Sequence, residues 1–238
     1  MLENTYNELG ELINKKLHNS KQEIDYAYNI RGWLTGINKG KTLAPNRLFG
    51  MELYYNNTLN GAANIAQYNG NISAMKWNHQ DEGSSVGHAY KFEYDNLNRL
   101  AKADYGTYNT SYATSSKFDV YGNASGKIGY DLNGNIESLK RNGGSGTLID
   151  NLIYNSTNQL SNVRDYSNQS NGFGERSTST SATEYSYDDN GNMEVDLNKN
   201  LNIAYNSINL PKQITNRAKS SDDAEYVYSA WISIAKVL

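Results

Sequence analysis

Aromatic and polar residues alternate with a period of two at several places along the chain. The clearest cases are Lys91-Phe92-Glu93-Tyr94, Glu184-Tyr185-Ser186-Tyr187, Asp25-Tyr26-Ala27-Tyr28 and Glu225-Tyr226-Val227-Tyr228. A period of two is typical of a half-buried β-strand. Tyrosine suits such a strand because its ring fills the pleated surface while its hydroxyl finds a polar partner. We therefore expect strands that end at these tyrosines, and we interpret most of the aromatic side chains as packing residues rather than as a ligand platform.

A seven-residue phrase continues from many of these strand ends. It reads Tyr, then Asn or Asp, two free positions, Gly or Asn, one free position, and an apolar residue. The copies begin at Tyr6, Tyr28, Tyr94, Tyr130, Tyr154, Tyr187 and Tyr205, and a shorter version runs from Tyr68 to Ile72. A repeat dispersed over nearly the whole chain indicates a fold made by repetition of one small unit. The spacing between copies predicts a unit of about 18–24 residues with insertions.

The second and fifth positions of the phrase predict its local structure. Asn or Asp at the second position suits the first residue of a type I turn. The fifth position is always Gly or Asn, the residues that most readily accept a positive φ: Gly10, Gly32, Asn98, Gly134, Asn158, Gly191 and Asn209. A type I turn followed by a left-handed residue is a common hairpin connection with a bulge. Each phrase therefore predicts strand, tight turn and strand.

The pattern predicts an all-β fold, a single array of repeated β-hairpins over residues 1–238 that forms a curved strip. Two insertion loops are expected, at about 39–67 and 166–183, and Leu48–Tyr55 within the first is an apolar strand candidate. Gly143–Gly146 is expected to be a shorter loop. Weak helix signals cover Glu8–Leu17 and Ala62–Tyr68, and the repeat register favours a hairpin for the first.

Composition narrows the fold and the classes of partner. Only 37% of the 238 residues are hydrophobic, with four Phe and two Pro, so a thin sheet is expected rather than a thick sandwich core. The net charge of −3 is spread along the chain, which excludes a basic stripe for nucleic acid. Cysteine is absent, which excludes disulfides and thiolate metal sites. No apolar stretch approaches the length that spans a bilayer, and Met1–Lys16 lacks a secretory pattern, so the sequence assigns no location.

Candidate chemistry is sparse. Asp131–Asn135 and Asp188–Asn192 resemble the start of a calcium loop, but such a loop needs Gly at its sixth and Glu at its twelfth position. Counted from Asp131 and Asp188, those positions hold Ile136, Asn142, Met193 and Lys199, so turn chemistry is the better interpretation. His18, His79 and His88 lack metal-ligand spacing. We therefore predict a non-enzyme with no catalytic, cofactor-binding or metal-binding residues and no cofactor.

The repeated phrase resembles the Tyr-Asp repeat of Rhs/YD-repeat proteins, and the resemblance covers roughly residues 4–230. The residues that carry it are Tyr28–Leu34, Leu48–Tyr55, Tyr68–Trp77, Tyr94–Leu100 and Tyr187–Pro211, in a combination similar to Bacteroidetes-type proteins just before the Rhs repeat-associated core. The wider family includes polymorphic toxins, insecticidal toxin complexes and teneurins. The resemblance implies a β-shell that encloses or presents a polypeptide such as a C-terminal toxin, in a secreted or cell-surface parent protein.

Three features depart from that family. A shell needs many hundreds of residues, so 238 would form part of a wall. The only prolines are Pro45 and Pro211, and the family's self-cleaving aspartyl motif has no counterpart. The chain begins within a repeat, and after Tyr226–Ala230 it reads Trp231-Ile232-Ser233-Ile234 where an Asp-Gly turn would normally follow. We therefore expect a fragment of a longer repeat protein.

Two alternatives to a shell segment stay open. One is a cell-surface carbohydrate-binding module in which Trp33 and Trp77, each after a turn, stack on sugar rings; packing against the next hairpin is the competing interpretation of both. The other is a nonfunctional remnant of a truncated gene. For the shell segment, the expected partners are neighbouring repeats or an enclosed polypeptide, with no nucleic acid and no membrane insertion.

Overall fold

The protein is built from antiparallel β-strands. A computed structural model describes residues 2–81, 87–122, 125–155, 157, 159–166, 182–219, 221, 223–228 and 233–237, the last range as backbone only. The chain forms two compact units. The first is Met1–Tyr121 with Asn142–Thr147, and the second is Gly122–Arg141 with Leu148–Leu238. No α-helix occurs among the described residues, and the all-β prediction is confirmed.

The first unit is a sheet of successive hairpins. Its strands are β1 (Leu2–Tyr6), β2 (Leu12–Leu17), β3 (Gln22–Tyr28), β4 (Leu34–Ile37), β5 (Phe49–Tyr54), β6 (Ala74–His79), β7 (Gly87–Tyr94), β8 (Leu100–Tyr108), β9 (Tyr112–Thr114) and β10 (Val120–Tyr121). Strands β1 to β8 are neighbours in chain order, and both β9 and β10 pair with β8. A sheet whose spatial order follows chain order is what consecutive hairpins produce.

The second unit repeats this architecture. Its strands are β11 (Gly129–Tyr130), β12 (Ile136–Asn142), β13 (Leu148–Tyr154), β14 (Leu160–Asp165), β15 (Tyr185–Tyr187), β16 (Met193–Asp196), β17 (Leu201–Tyr205), β18 (Pro211–Asn216), β19 (Ala224–Tyr228) and β20 (Ser233–Val237). Strand β11 pairs with β12, and β12 to β14 follow in order. Strands β15 to β20 form a separate six-stranded sheet, again in chain order.

Every copy of the phrase is a bulged hairpin. The tyrosine pairs with the seventh residue of its phrase, as Tyr94 does with Leu100, while the residue before it pairs two places further on, as Glu93 does with Lys102. The same register shift stands at the tyrosine in all seven copies. The fifth residue has a positive φ at each described copy; Asn158 lies outside the described residues. The bulged-hairpin prediction is confirmed.

The buried core of the first unit comes from an unexpected place. Leu59 and Ala62, from the connection between β5 and β6, pack with Ala74, Ala89 and Tyr112. The connection thus covers one face of β6 and β7, where small alanines leave room for it. The first predicted insertion therefore contributes core as well as loop.

The structure tests two further predictions for the first insertion, one of a strand and one of a helix. The apolar strand expected within Leu48–Tyr55 is confirmed as β5, whereas the helix signal at Ala62–Tyr68 is wrong because this segment is irregular chain. Its backbone is held by strand ends rather than by helical bonds, since the Gln67 N–H donates to the Tyr55 carbonyl at 2.8 Å. Most of the second predicted loop, and the residues around Trp231, lie outside the described residues.

Candidate interaction surfaces

Each turn is built around the side chain of the second residue of its phrase. In the copy of Asp188, the Oδ1 atom accepts the N–H groups of Asn190 at 3.0 Å and Asn192 at 2.8 Å. The backbone closes the same turn, since Gly191 N–H donates to the Asp188 carbonyl at 2.9 Å. The equivalent pair of bonds to a side-chain oxygen occurs at Asn7, Asn29, Asp95, Asp131, Asn155 and Asn206. Because both carboxylates of the calcium-like segments serve as turn acceptors, the turn interpretation is supported.

The second residue has one more polar side-chain atom, the amide nitrogen of Asn or the second oxygen of Asp. In several copies this atom forms a hydrogen bond with the side chain at the sixth position. Where the second residue is Asn, its amide can donate: Asn7 bonds Glu11 at 2.7 Å and Asn155 bonds Gln159 at 2.9 Å. Where it is Asp, its second oxygen accepts from Arg99 Nε at 2.6 Å, from Asn135 at 2.8 Å or from Asn192 at 2.8 Å. Sequence reasoning took the sixth position as free. The donor and acceptor pairing in these five of the seven copies is the sequence signal that reveals the sixth position.

The tyrosines connect one hairpin to the next. In three copies the hydroxyl of the phrase tyrosine donates to the carbonyl of the seventh residue of the preceding phrase. These bonds join Tyr28 to Leu12 at 3.0 Å, Tyr187 to Leu160 at 2.9 Å and Tyr205 to Met193 at 3.0 Å. Tyr228 continues the series with a 2.6 Å bond to the Pro211 carbonyl. We call this series the tyrosine ladder.

One member of the ladder was not identified from the sequence. Tyr55 donates to the Leu34 carbonyl at 2.8 Å, and Tyr94 donates to the Ile72 carbonyl at 2.8 Å. Tyr55 and Ile72 therefore take the first and seventh positions of a phrase whose turn is enlarged by the insertion. Tyr68, the tyrosine of the predicted short copy, is instead 67% exposed and bonds Arg31 through its carbonyl. The alternating residues up to Tyr55 were the available signal.

Rings from β6, β7 and β8 form an aromatic cluster in the first unit. The Trp77 ring lies 5.4 Å from His88 and 5.7 Å from Tyr90, close to parallel with both. Tyr105 meets Tyr90 edge-on at 5.4 Å and is hydrogen-bonded through its hydroxyl to His88. Phe118 packs edge-on against Tyr105 at 5.3 Å. Offset and edge-on contacts of this kind are the preferred packing of aromatic side chains, so the ring of Trp77 packs against its neighbours.

Trp33 is held by its neighbours as well. Its ring lies 5.1 Å from Tyr55, and the Arg31 guanidinium lies 5.0 Å from the ring centre. A Cβ placed on Gly70 would lie 3.4 Å from this ring, so the backbone of the turn at Gly70 closes on the ring. Cation–π and aromatic contacts account for the position of Trp33. This favours packing over sugar binding at Trp33.

An open polar groove of about 220 Å³ lies beside Trp77 in the first unit. Glu52 and Lys76 form its charged wall, with an ion pair of 3.1 Å, and the Lys76 ammonium lies 4.7 Å from the Tyr108 ring centre. The remaining lining residues are Asn38, Gly40, Lys41, Gly50, Met51, Asn78, Gly87 and Asn109. Two aromatic residues, three amides and a charge pair thus meet in one concave place, which is suited to a small polar ligand.

Two of the three histidines occupy a turn and a packing position. His18 stands in the turn between β2 and β3 with a φ of 49°, and His79 packs 5.2 Å from Phe49. Within the described part of the chain, no three His, Asp or Glu side chains come together as metal ligands. The described residues also contain no helix long and apolar enough to span a membrane.

Glu184 is a buried carboxylate with a structural role. It is 1% exposed, and its Oε2 accepts the Val163 N–H at 2.9 Å and the Asn198 amide at 2.9 Å. Hydrogen bonds of this kind offset part of the cost of burying a polar side chain. The side chain thereby ties the chain before β15 to β14, where its own N–H also donates to the Ser161 carbonyl at 2.9 Å. No sequence motif marked this residue.

Comparison with solved structures finds distant structural similarity. No protein-family model matches the chain, and no curated protein matches it. Among solved structures the chain is similar to the crystal structure of TcdB2-TccC3, with 13% sequence identity and a TM-score of 0.35 over 96% of this chain. The chain spans 13% of the length of that structure. Because identity and TM-score are both low, the function of this chain is inferred from its own residues.

Proposed function

We propose that the chain is a non-catalytic structural segment of an Rhs/YD-repeat shell, which encloses or presents another polypeptide such as a toxin. The observation that carries the proposal is the tyrosine ladder. Each described ladder bond, such as that of Tyr205 to Met193, fixes a hairpin to the one before it. A unit stabilised mainly by its neighbours is the design of repeat proteins, which build extended walls.

The chemistry of the phrase supports a structural role. The oxygen of each Asn or Asp at the second position is taken up by turn N–H groups, and ladder hydroxyls are taken up by carbonyls. These recurring polar groups are therefore used within the array. A repeat retained for its turn and its ladder, rather than for a reactive group, serves as a scaffold.

The turn tips offer a surface for another polypeptide. Aliphatic side chains at five tips are well exposed: Leu9, Ile30, Leu97, Leu132 and Ile208. Exposed apolar residues that recur with the repeat are suited to contact another polypeptide. They support the presenting role, in which a neighbouring repeat or an enclosed chain covers them.

Strand β1 supports addition of a further hairpin. Its residues Leu2–Tyr6 are all exposed, and within the described part of the chain it pairs with β2 alone. An edge strand presents backbone N–H and C=O groups to a further strand. The neighbouring repeat is thus the partner that this edge fits.

The test is to isolate the native polypeptide with an antibody to this chain and to measure its mass and its co-purifying polypeptides by mass spectrometry. We expect a polypeptide larger than 26.6 kDa that contains further copies of the phrase, with a second polypeptide protected from trypsin. A native product of 26.6 kDa that is monomeric, melts cooperatively and protects no second polypeptide would overturn the proposal.

The polar groove favours a second candidate, a carbohydrate-binding surface centred on Trp77 and Tyr108. Sugar recognition combines aromatic faces with amides, and Asn78 and Asn109 supply amides at this groove. Tryptophan fluorescence of the Trp33→Phe variant, titrated with a glycan panel, tests it. A spectral change abolished by Asn78→Ala supports this function, and an unchanged spectrum with every glycan rejects it.

A further inference from the structure

We propose that the edge of the sheet formed by the turns is a recognition surface between successive hairpins. Asn at the fifth position of a phrase makes the recognition contact, because its side-chain oxygen accepts hydrogen bonds from the turn of the preceding hairpin. The partner that such an Asn fits is a hairpin whose turn presents two asparagine amides. The inference rests on the structural role proposed above, because it describes how successive hairpins are matched.

The second unit shows this recognition contact between two successive turns. The Oδ1 atom of Asn209 lies 3.3 Å from the Asn190 amide and 3.1 Å from the Asn192 amide. Asn190 and Asn192 are the fourth and sixth residues of the preceding phrase, so both donors come from the neighbouring turn. Asn209 itself has a φ of 59° and closes its own turn by donating its N–H to the Asn206 carbonyl at 3.0 Å. One residue thus serves both its own turn and the neighbouring turn.

The first unit shows the same contact in a different setting. The Oδ1 atom of Asn98, whose φ is 63°, accepts from the Asn69 amide at 2.6 Å and lies 3.4 Å from the Asn71 amide. Asn69 and Asn71 belong to the shortened turn, which differs in length from the turn at Asn190. The acceptor is nevertheless an Asn at the fifth position of the following phrase. Since the surrounding turns differ, the contact itself is the shared feature.

Whether the fifth position holds Asn or Gly correlates with the residues at the fourth and sixth positions of the preceding phrase. The Asn-x-Asn combination occurs a third time at Asn133 and Asn135, and the next fifth position is Asn158, which lies outside the described residues. Where the fifth residue is Gly, the sixth residue of the preceding phrase is not Asn. It is Glu11 before Gly32, Arg99 before Gly134 and Gln159 before Gly191. A Cβ on Gly32 would lie 3.1 Å from Glu11 Oε1, so the preceding side chain crowds this position.

Conformational preference alone does not explain Asn98 and Asn209. Glycine accepts a positive φ at no steric cost, whereas any other residue is less favoured there. The turn itself would therefore be served at least as well by Gly. Asn is kept where the preceding turn supplies amide donors, because the bond between hairpins compensates for the less favourable conformation. The fifth position thus selects which hairpin fits beside which.

A double-mutant cycle between Asn69→Ala and Asn98→Gly tests the contact in the full chain. Urea unfolding of the four proteins gives the coupling, and amide hydrogen exchange at Asp95 and Asn98 reports the same turn locally. We expect a coupling of about threefold in the unfolding equilibrium constant, as for one exposed hydrogen bond. Glycine at position 98 should be more favourable when Asn69 is absent. Independent effects of the two substitutions in both measurements would overturn the inference.

A transplant tests the rule in the opposite direction. Gly32→Asn alone should lower stability, because Asn is less favoured than Gly at a φ of 72° and its Cβ would lie 3.1 Å from Glu11 Oε1. Adding Leu9→Asn and Glu11→Asn supplies the Asn-x-Asn turn and should restore stability about threefold in the unfolding constant. Gly10→Asn is the matched control: its φ of 79° imposes a similar backbone cost, but no atom lies within 4 Å of a Cβ there, so it should lower stability less than Gly32→Asn.

A transplant that restores nothing would also overturn the inference. Both experiments measure only the matching of hairpins. Absent coupling would leave the shell role standing, since that role is tested separately by the mass and the protected polypeptide of the native product.

Discussion

The hydroxyl of Tyr187 donates a 2.9 Å hydrogen bond to the backbone carbonyl of Leu160 in the preceding hairpin. Leu160 lies in the sheet that contains β14, and Tyr187 lies in the six-stranded sheet that begins with β15. Burial raises the pKa of Tyr187, which keeps its hydroxyl protonated as a donor. This bond explains why the phrase begins with Tyr, since Phe would fill the same space without a donor.

Replacing Tyr187 by Phe should therefore weaken the joint between these hairpins. The Leu160 carbonyl loses its partner in a half-buried position, and we expect a loss of about 1 kcal/mol in the free energy of unfolding. Urea denaturation followed by circular dichroism measures it. Tyr6→Phe is the control, because Tyr6 is exposed and its hydroxyl only accepts a 3.3 Å bond from Asn4. Equal stability losses in both variants would contradict a specific role of the ladder.

The hairpins themselves could be predicted from the sequence because their determinants are local. A positive φ at Gly191 and an acceptor at Asp188 are needed within one short turn, and only a few residue types meet each need. The period of two in Glu184–Tyr187 likewise reports which face of a strand is buried. Physical constraints that act within seven residues leave a readable pattern.

The candidate surfaces could be predicted less well because they depend on contacts between hairpins. The sequence indicates Trp77 only as a tryptophan that follows a turn, and the polar residues beside it in the groove, such as Glu52 and Asn109, come from distant segments. Tyr55 was missed because an insertion separates it from Ile72. Which carbonyl a tyrosine reaches depends on the length of the intervening loops, and the phrase alone does not encode it.

The pairing of the second and sixth positions predicts different outcomes for two similar substitutions. Asn7→Asp would place a carboxylate beside Glu11, which cannot donate, so we expect a small loss of stability, about 0.5 kcal/mol. Asn155→Asp faces Gln159, whose amide can rotate to donate, so it should be tolerated. Thermal unfolding of the two variants side by side measures the difference.

A rescue distinguishes charge repulsion from general damage at Asn7. Adding Glu11→Arg to Asn7→Asp would recreate the pair seen at Asp95 and Arg99, whose Nε donates at 2.6 Å. We expect the double variant to recover the lost stability and to become sensitive to salt. If it is no more stable than Asn7→Asp alone, the sixth position does not select its partner in this way.

At alkaline pH, buried tyrosines should make the fold less stable. Burial raises the pKa of Tyr112 to about 12 and that of Tyr185 to about 12, against about 10 in the unfolded chain. Between these values the unfolded state has lost the phenolic proton and the folded state still binds it, so stability falls as pH rises. The contribution is complete below pH about 10 and is lost as pH approaches 12. The urea concentration at the midpoint of unfolding should therefore decline between pH 8 and 11. A constant midpoint would contradict the predicted loss of stability.

At acidic pH the turns should weaken through their aspartates. The Asn192 amide, together with the N–H groups of the turn, lowers the pKa of Asp188 below its ordinary value. The folded state then keeps the carboxylate charged at a pH where the unfolded state binds a proton, so stability falls as pH decreases below about 4. Asp188→Asn is the matched variant, because Asn206 shows that an amide oxygen also accepts both turn N–H groups. We expect this variant to show a shallower fall in urea midpoint between pH 5 and about 3. An unchanged acid limb would show that Asp188 does not contribute to it.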